Sequence, residues 1–233
     1  MNLPPEKQNW RLMRGMFGTI APRYDFVTRL FSFGMDRGWK ESAVRQAALR
    51  DGARALDLAC GTGDFAVLVS RRCPGARIVG LDLTEAMLHR ARRRGVPAVV
   101  CGNALALPFA DATFSAVFIG YGLRNFPDLP AALREIERVL RPGGVMVSLD
   151  FFLPAHRLLR YLFLGWLYAQ GALWGILLHG RPRVYTYIPD SLRGFLSIED
   201  FSALLQILGW VEVRPHAYIF GGIGVHWAVK AHA

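Results

Sequence analysis

Residues 54–64 read RALDLACGTGD, and this stretch decides the fold. A short apolar run leads into Gly61-Thr62-Gly63 and then into a helical pattern, which predicts a buried strand, a tight turn and the start of a helix. Glycines at such a turn let the backbone approach a ligand closely, because no Cβ stands in the way. A second apolar run, RIVGLD, ends in Asp82, and an acid there typically hydrogen-bonds the ribose hydroxyls in α/β nucleotide folds. Together these features predict a site for an adenosine-containing cofactor.

Strand-like and helix-like patterns alternate through the middle of the chain. The apolar runs RALDLA, RIVGLD, AVVC, FSAVFIG and VMVSLDF are separated by helical patterns, which is typical of a parallel, doubly wound sheet. Near the C-terminus, WVEVRPHAYIF and GVHWAVKA alternate like two strands joined at Gly221-Gly222. The expected fold is therefore α/β and Rossmann-like, with a mostly parallel seven-stranded sheet that ends in an antiparallel hairpin.

The expected organisation is a single domain with two helical additions. Residues 1–50 show helical spacing and no strand pattern, which predicts an N-terminal helical cap. Residues 51–152 are expected to form the cofactor-binding core and residues 153–196 an apolar helical insertion after the fifth strand. Residues 197–233 are expected to form a helix, capped by Ser197 with Asp200, and the closing hairpin.

The insertion contains eighteen residues without a charge, residues 161–178, which read YLFLGWLYAQGALWGILL. By length alone this stretch is a candidate membrane span. Three glycines and a glutamine interrupt it, and basic residues or histidine flank both ends, so it gives no orientation bias. We favour a helix that covers an apolar substrate and dips into a bilayer surface, with a true span as the alternative.

Composition narrows the class of protein. The chain is 52% hydrophobic and carries a net charge of +10, from 28 basic and 18 acidic residues. Such a surplus suits nucleic acid, an anionic membrane surface or a basic solvated surface. Three widely spaced cysteines and six scattered histidines match neither a disulfide framework nor a metal site, so we expect no metal. The first residues lack an apolar signal region, which favours a cytoplasmic location.

The glycine turn alone leaves the cofactor open, since it also satisfies the G-x-G-x-x-[GA] pattern of dinucleotide-binding proteins. The chain as a whole resembles the class I methyltransferases, and within them the UbiE/MenG family of ubiquinone and menaquinone biosynthesis C-methyltransferases. The stretches that carry the resemblance are MFGTIAPRYDFVTRLFSFGMDRGWK, LDLACGTGDF, GLDLTEAML, GNALALPFADATFSAVFIGYGLRNF and LREIERVLRPGG. This resemblance implies S-adenosylmethionine as the cofactor.

The resemblance also implies a set of cofactor-binding residues. Glycines and the threonine of the turn would line the methionine end, supported by Asp57, and Asp82 would bind the ribose. Asn103 and Ala104 would contact adenine, and Met87 would either pack on adenine or belong to the helix core. The implied set is Asp57, Gly61, Thr62, Gly63, Asp82, Leu83, Met87, Asn103, Ala104 and Gly120.

The GLRN run after the fourth strand holds the residues implied to act on a quinol. A positive charge on Arg124 would favour the phenolate, whose ring carbon then attacks the methyl group. Asn125 would orient this arginine or bind a quinol oxygen. The alternative is a loop arginine that pairs with Asp128.

Four further residues are implied on the substrate side. Asp150, at the end of the fifth strand, is a candidate proton acceptor, directly or through water. Tyr24 would help to close the cap and face the sulfonium. Tyr185 and Tyr187 resemble a family Y-x-Y near the substrate, although simple packing is an equal alternative for each tyrosine.

The function expected from these features is C-methylation of a polyprenylated quinol at an anionic membrane surface. The expected protein is peripheral on the inner face of the membrane, binds no nucleic acid, and has a homodimer as an open option. A methyltransferase with another acceptor, such as a phospholipid amine or an aromatic metabolite, is one alternative. The other is a lipid-binding protein that retains the cofactor fold without turnover.

Overall fold

Three helices precede the first strand in the computed structural model, which describes residues 10–232. They are α1 (Trp10–Ile20), α2 (Tyr24–Phe31) and α3 (Asp36–Gln46), and a 3-10 turn, Ala21–Arg23, joins the first two. Their apolar residues recur at helical spacing and bury one face. These helices occupy the region of the predicted cap, and the prediction for residues 1–9 lies outside the described residues.

Seven strands form one sheet in the order β3-β2-β1-β4-β5-β7-β6. The strands are β1 (Arg54–Leu58), β2 (Arg77–Asp82), β3 (Val99–Cys101), β4 (Phe114–Gly120), β5 (Leu140–Phe151), β6 (Val211–Tyr218) and β7 (Ile223–Val229). Strands β1 to β5 pair in parallel, and β7 pairs antiparallel with both β5 and β6. The predicted fold class is confirmed.

Six more helices follow the first strand: α4 (Asp64–Arg72), α5 (Glu85–Arg93), α6 (Leu129–Val139), α7 (Arg157–His179), α8 (Arg183–Leu192) and α9 (Ile198–Ile207). Helices α4 and α5 pack with the cap on one face of the sheet, and α6 and α9 pack on the other. The predicted capping box is confirmed, because the Ser197 hydroxyl accepts from the Asp200 N–H and the Asp200 carboxylate accepts from the Ser197 N–H.

The order of the strands positions the site. From β1 the chain moves outward to β2 and β3, and then returns to β4 on the other side of β1. The loops after β1 and β4 therefore diverge, and a crevice opens beyond the carboxyl ends of these two strands.

The insertion folds as two antiparallel helices, of which the sequence predicted only α7. Helix α8 contains Pro189, and a proline inside a segment argues against a helix there. The two helices approach closely at Gly171, where a Cβ would lie 3.0 Å from the Tyr185 carbonyl oxygen.

Among the described residues, α7 is the one helix long and apolar enough to cross a membrane. Strand β5 precedes it, and β6 and β7 of the same sheet follow it. With 10 residues, α8 is about 15 Å long and too short to return across a hydrocarbon layer of about 30 Å. The geometry therefore favours a helix that lies along the domain over the alternative of a span.

A buried histidine makes the fold sensitive to acid. His226, on β7, has no exposed surface, packs against Phe152 and Phe201, and places Nε2 3.2 Å from the Ile198 carbonyl oxygen. Burial lowers the pKa of His226 to about 4, although the bond to Ile198 opposes this shift. Below pH ~6.5 the unfolded chain therefore binds a proton that the folded chain excludes, so stability falls as the pH falls towards 4.

We expect His226 to remove about 2 kcal/mol of the free energy of unfolding between pH ~7.5 and pH ~5. Urea unfolding at the two pH values measures this loss, and His226→Asn should reduce it by the same amount because asparagine does not titrate. The matched control is His216→Asn, since His216 is exposed on the neighbouring strand β6. An unchanged pH dependence in His226→Asn would refute this assignment.

Candidate active site

A cavity of about 450 Å³ opens at the carboxyl ends of β1, β2 and β4. Cap residues Met13, Phe17 and Tyr24 contribute to its wall. This volume lies in the range of small-molecule and cofactor sites. The cavity gathers residues that the sequence placed far apart: Tyr24, Gly61, Asp82, Leu83, Met87, Asn103, Ala104, Gly120 and Asn125.

Asp82 lies on the wall of this large cavity with both carboxylate oxygens anchored. Oδ2 accepts from the Gly61 N–H at 2.9 Å, and Oδ1 accepts from the Thr84 N–H at 2.8 Å. Burial raises the pKa of Asp82, and these backbone donors oppose that shift. Each oxygen retains a second lone pair, so the fixed carboxylate can accept two further hydrogen bonds from a diol.

The lining of the large cavity also includes the amide side chain of Asn103 and the apolar side chain of Met87. Asn103 Oδ1 accepts from the Leu105 N–H at 3.0 Å, which fixes the side-chain NH₂ group as a donor. Met87 is 1% exposed and also lines the cavity, so it belongs to the helix core and to the site at once. At Gly120 a Cβ would lie 3.1 Å from the Phe65 ring, so a larger residue at this position would press on that ring.

The glycine turn presents only part of itself to the large cavity. Gly61 lines it, whereas Thr62 lines a separate cavity of about 20 Å³ beside Tyr121. Gly63 does not line the large cavity, and a Cβ there would lie 2.5 Å from Val96 Cγ2, so its expected contact with the cofactor stays a prediction. Gly63 has a φ of +85° and serves the close packing of α4 against the loop after α5. Asp57 lies behind the turn, where it accepts from the Ala66 N–H at 2.8 Å.

A network of charged side chains joins the cap to the glycine turn, and the sequence did not indicate it. Lys40 Nζ lies 2.9 Å from Asp36 Oδ2 and 2.6 Å from Asp64 Oδ2. Arg94 contacts Asp64 Oδ1 at 2.7 Å and donates to Thr62 Oγ1 at 2.8 Å. Burial alone would raise the pKa of Asp64, but the two cations outweigh burial and lower it. The network thus keeps the first turn of α4 charged and fixed.

Lys40→Met should lower the free energy of unfolding by about 3 kcal/mol, because it leaves the buried Asp36 without its cation and Asp64 with Arg94 alone. Urea unfolding measures the change. Arg37→Met is the matched control. Arg37, like Lys40, pairs with an acid four residues away in α3, but 82% of the Arg37 side chain is exposed. The side chain of Lys40 is 7% exposed. Equal effects of the two substitutions would show that the buried network does not stabilise the cap.

A second, smaller cavity of about 30 Å³ adjoins the large one and shares Tyr24 and Tyr121 with it. Arg124 lies in its wall and is 3% exposed. Its guanidinium donates to Asp150 Oδ1 at 2.6 Å and to the Tyr121 carbonyl oxygen at 2.8 Å. Burial alone would lower the pKa of Arg124, but the Asp150 carboxylate outweighs burial and raises it. Arg124 therefore carries a permanent positive charge beside this cavity.

The structure gives the partners of two acids in this part of the chain. The alternative partner Asp128 does not bind Arg124, because Asp128 caps α6 by accepting from the Ala131 N–H. Asp150 lines none of the three cavities, and its oxygens accept from Arg124 and from the Phe151 N–H. Asp150 thus holds the Arg124 guanidinium in place, and its expected role as a proton acceptor stays a prediction.

Two residues that line the small cavity carry buried donors without a partner. Within residues 10–232, neither Arg124 Nε nor the Tyr121 hydroxyl has a hydrogen-bond partner. Such groups are rare in folded proteins because an unpaired buried donor costs about 1–3 kcal/mol. Tyr121 also has a φ of +58°, a strained value for an aromatic residue. The sequence did not single out Tyr121, although its position just after β4 was a usable signal.

The three tyrosines that the sequence implied on the substrate side line the same small cavity as Arg124: Tyr24, Tyr185 and Tyr187. Burial raises the pKa of Tyr24, and Tyr187 adds to this shift. Burial also raises the pKa of Tyr187, although Arg124 opposes it. Both hydroxyls are therefore protonated at neutral pH and can donate hydrogen bonds rather than act as bases.

Comparison with known proteins finds similarity to one family of methyltransferases along most of the chain. The model of the ubiE/COQ5 methyltransferase family matches residues 6–230. The chain is 39% identical to the demethylmenaquinone methyltransferase of Deinococcus radiodurans, over 96% of each protein. It is 40% identical to the demethylmenaquinone methyltransferase of Thermus thermophilus, over 91% of this chain and 98% of that protein. It is 39% identical to the ubiquinone/menaquinone biosynthesis C-methyltransferase UbiE of Desulfotalea psychrophila, over 92% and 89%.

Solved structures show the same fold at lower identity. A SAM-dependent methyltransferase of Thermotoga maritima superposes with a TM-score of 0.66 at 22% identity, over 94% of this chain and 99% of that one. The [4+2]-cyclase SpnF superposes with a TM-score of 0.64 at 19% identity, over 100% and 98%. Because this fold also serves a cyclase, the structural likeness alone assigns no reaction.

Proposed function

Because the chain belongs to the ubiE/COQ5 methyltransferase family, we propose that it transfers a methyl group from S-adenosylmethionine to a ring carbon of a polyprenylated quinol. Demethylmenaquinol, or the equivalent benzoquinol, is the expected acceptor, in line with the names of its relatives. The observation that carries the proposal is the buried Arg124, which lines a cavity next to the large one and whose Nε has no hydrogen-bond partner within residues 10–232.

The large cavity fits the cofactor. Asp82 offers fixed carboxylate oxygens for a ribose diol, and Gly61 leaves the backbone open to close approach. Asn103, Leu83 and Met87 supply a donor and apolar surface for a purine. When bound, S-adenosylmethionine supplies an electrophilic methyl group on a sulfonium. Tyr24, at the boundary of the two cavities, is proposed to face that positive charge with its ring.

Arg124 is proposed to stabilise the phenolate form of the quinol. A phenol has a pKa of about 10, and a cation nearby lowers that value and thereby increases the phenolate fraction at neutral pH. Arg124 Nε would donate to the phenolate oxygen, while Asp150 holds the guanidinium in place. The activated ring carbon would then attack the methyl group that S-adenosylmethionine supplies, with a C–C bond formed in place of the methyl C–S bond, the electron pair left on sulfur and the ring proton lost to water.

The other quinol oxygen requires a second donor. We assign this role to the Tyr121 hydroxyl. Tyr187, beside Arg124, and Asn125, in the wall of the large cavity, are proposed to assist it. Tyr185 lies deeper, and its hydroxyl is 3.0 Å from His179 Nε2. Its proposed role is to close the apolar end of the small cavity.

The basic charge and the apolar α7 favour action at the inner, anionic surface of a cytoplasmic membrane. An anionic surface attracts each nearby basic side chain by about 1 kcal/mol. A lipid quinol resides in the bilayer, so a peripheral location would bring the enzyme to its substrate.

The proposal is tested by transfer of labelled methyl groups into a membrane-lipid extract reduced with dithionite, followed by chromatography. Label in a quinone peak is the expected result, and the retention of that peak identifies the head group. Label in a phospholipid would retain the methyltransferase and replace the proposed acceptor. Absence of label, with cofactor binding intact by calorimetry, would favour a lipid-binding protein without turnover.

A further inference from the structure

Helix α7 carries an apolar stripe on its outer side. No exposed residue between residues 161 and 178 is charged. The residues that form the stripe are exposed and recur with helical spacing: Leu158, Leu162, Gly165, Ala169, Leu173 and Ile176. The opposite side, with Phe163 and Leu167, is buried in the domain. A helix that is apolar on both sides is normally enclosed, yet only 22% of the most apolar part of α7 is buried.

Two phenylalanines, one on α2 and one just after it, pack beside this stripe and widen the apolar surface. Phe33 stacks on Trp166 with ring centroids 5.3 Å apart, and Phe26 meets Trp174 edge-on at 6.4 Å. Phe26 is 53% exposed and Phe33 is 63% exposed. We call the surface formed by Phe26, Phe33 and the exposed stripe of α7 the apolar face. Exposed apolar surface on this scale marks an interaction site.

The charges around the apolar face have one sign. Residues 26–35 and 151–189 contain no aspartate or glutamate. Exposed arginines lie at both ends of α7, with Arg157 at its start and Arg181 just after its end, and Arg29 lies on α2 between the two phenylalanines. An apolar strip flanked by cations complements a surface with anionic head groups over an apolar interior.

We propose that the apolar face docks onto an anionic bilayer, with α7 parallel to the membrane plane. This docking rests on the proposed function, because a bilayer would supply the lipid quinol that the proposed reaction uses. A second copy of the chain is a poorer occupant. Antiparallel pairing of two α7 helices would place Arg157 of one copy near Arg181 of the other, and like charges at an interface are unfavourable.

The apolar face adjoins the small cavity. Val27 and Phe31 of α2 line that cavity on one side, and Tyr185 and Ile188 of α8 line it on the other. Helix α7 packs on α8 at Gly171, where a Cβ would lie 3.0 Å from the backbone of Tyr185. A quinol that enters between α2 and α8 would thus leave its prenyl chain beside the helix that touches the bilayer.

The test is sedimentation with vesicles of phosphatidylcholine, with and without phosphatidylglycerol. The full chain should bind the anionic vesicles about ten-fold more tightly than the neutral ones, with a loss at high salt. Leu162→Glu/Ile176→Glu should reduce binding to anionic vesicles about ten-fold, because two charges then enter the apolar face. The matched control is Ile207→Glu on α9, which is 82% exposed and distant in the chain, and which should bind like the unmodified protein.

Methyl transfer separates this proposal from the proposed function. The double variant should methylate a water-soluble, short-chain demethylquinol at the unmodified rate and a vesicle-embedded long-chain quinol more slowly. Equal vesicle binding by the double variant and the unmodified protein would overturn the docking face. A second outcome would also overturn it: a dimer of the unmodified protein in gel filtration, disrupted by the double substitution, together with no binding of the unmodified protein to vesicles. The occupant of the apolar face would then be a second copy of the chain.

Discussion

Arg124→Lys is expected to lower kcat by about 100- to 1000-fold while changing the affinity for S-adenosylmethionine by less than about three-fold. Lysine retains a positive charge opposite Asp150, so the buried carboxylate keeps a partner. It cannot reproduce the planar guanidinium, in which one nitrogen binds Asp150 while Nε has no partner within residues 10–232. The phenolate would therefore lose its fixed donor while the fold is retained.

The measurement combines steady-state kinetics on a reduced demethylquinol with cofactor titration by calorimetry. Arg134→Lys is the control, since Arg134 is exposed on α6 and faces no cavity. A pH profile gives an independent readout, because the rate of Arg124→Lys should rise at a higher pH than that of the unmodified enzyme. A purely structural arginine would lower the rate without moving the profile. Equal losses of turnover and cofactor affinity would contradict the assigned role.

The cofactor side of the site followed from short stretches of sequence. β1, the glycine turn and the start of α4 are adjacent in the chain, and Asp82 ends the neighbouring strand. Parallel strands bring their carboxyl ends together, so the order of elements alone placed Gly61 and Asp82 at one edge. A pattern of glycines does not distinguish a residue that faces a ligand from one that allows close packing, and the structure shows close packing at Gly63.

The substrate side depended on contacts that no local pattern records. Arg124 and Asp150 meet because β4 and β5 pair in register, and they are 26 residues apart in the chain. Lys40 reaches Asp64 across 24 residues, from the cap to α4. Tyr121 could be placed after β4, but its strained φ and its buried hydroxyl exist only in the folded chain. Helix α8 was missed because packing on α7 overrides the local effect of Pro189.

Asp82→Ala is expected to weaken the binding of S-adenosylmethionine about 100-fold, because it removes the two charge-assisted hydrogen bonds that we propose Asp82 makes to the ribose. The variant also leaves the Gly61 and Thr84 N–H groups without their acceptor, so the glycine turn loses a constraint as well. Calorimetric titration with S-adenosylmethionine and with S-adenosylhomocysteine should show the same loss for both, because the ribose is common to them. Asp111→Ala is the control, since Asp111 is 78% exposed and pairs with Arg138 away from the cavity.

The protonation of Asp82 gives this prediction a second, independent test. Burial raises the pKa of this carboxyl, and only the ionised form can accept hydrogen bonds at both oxygens. Cofactor affinity should therefore fall as the pH decreases through that raised pKa, at a higher pH than an exposed aspartate would require. In Asp82→Ala this part of the pH dependence should be absent. If the variant retained full affinity, or if its affinity still fell with acid as in the unmodified enzyme, the ribose would have to be bound by another residue of the large cavity.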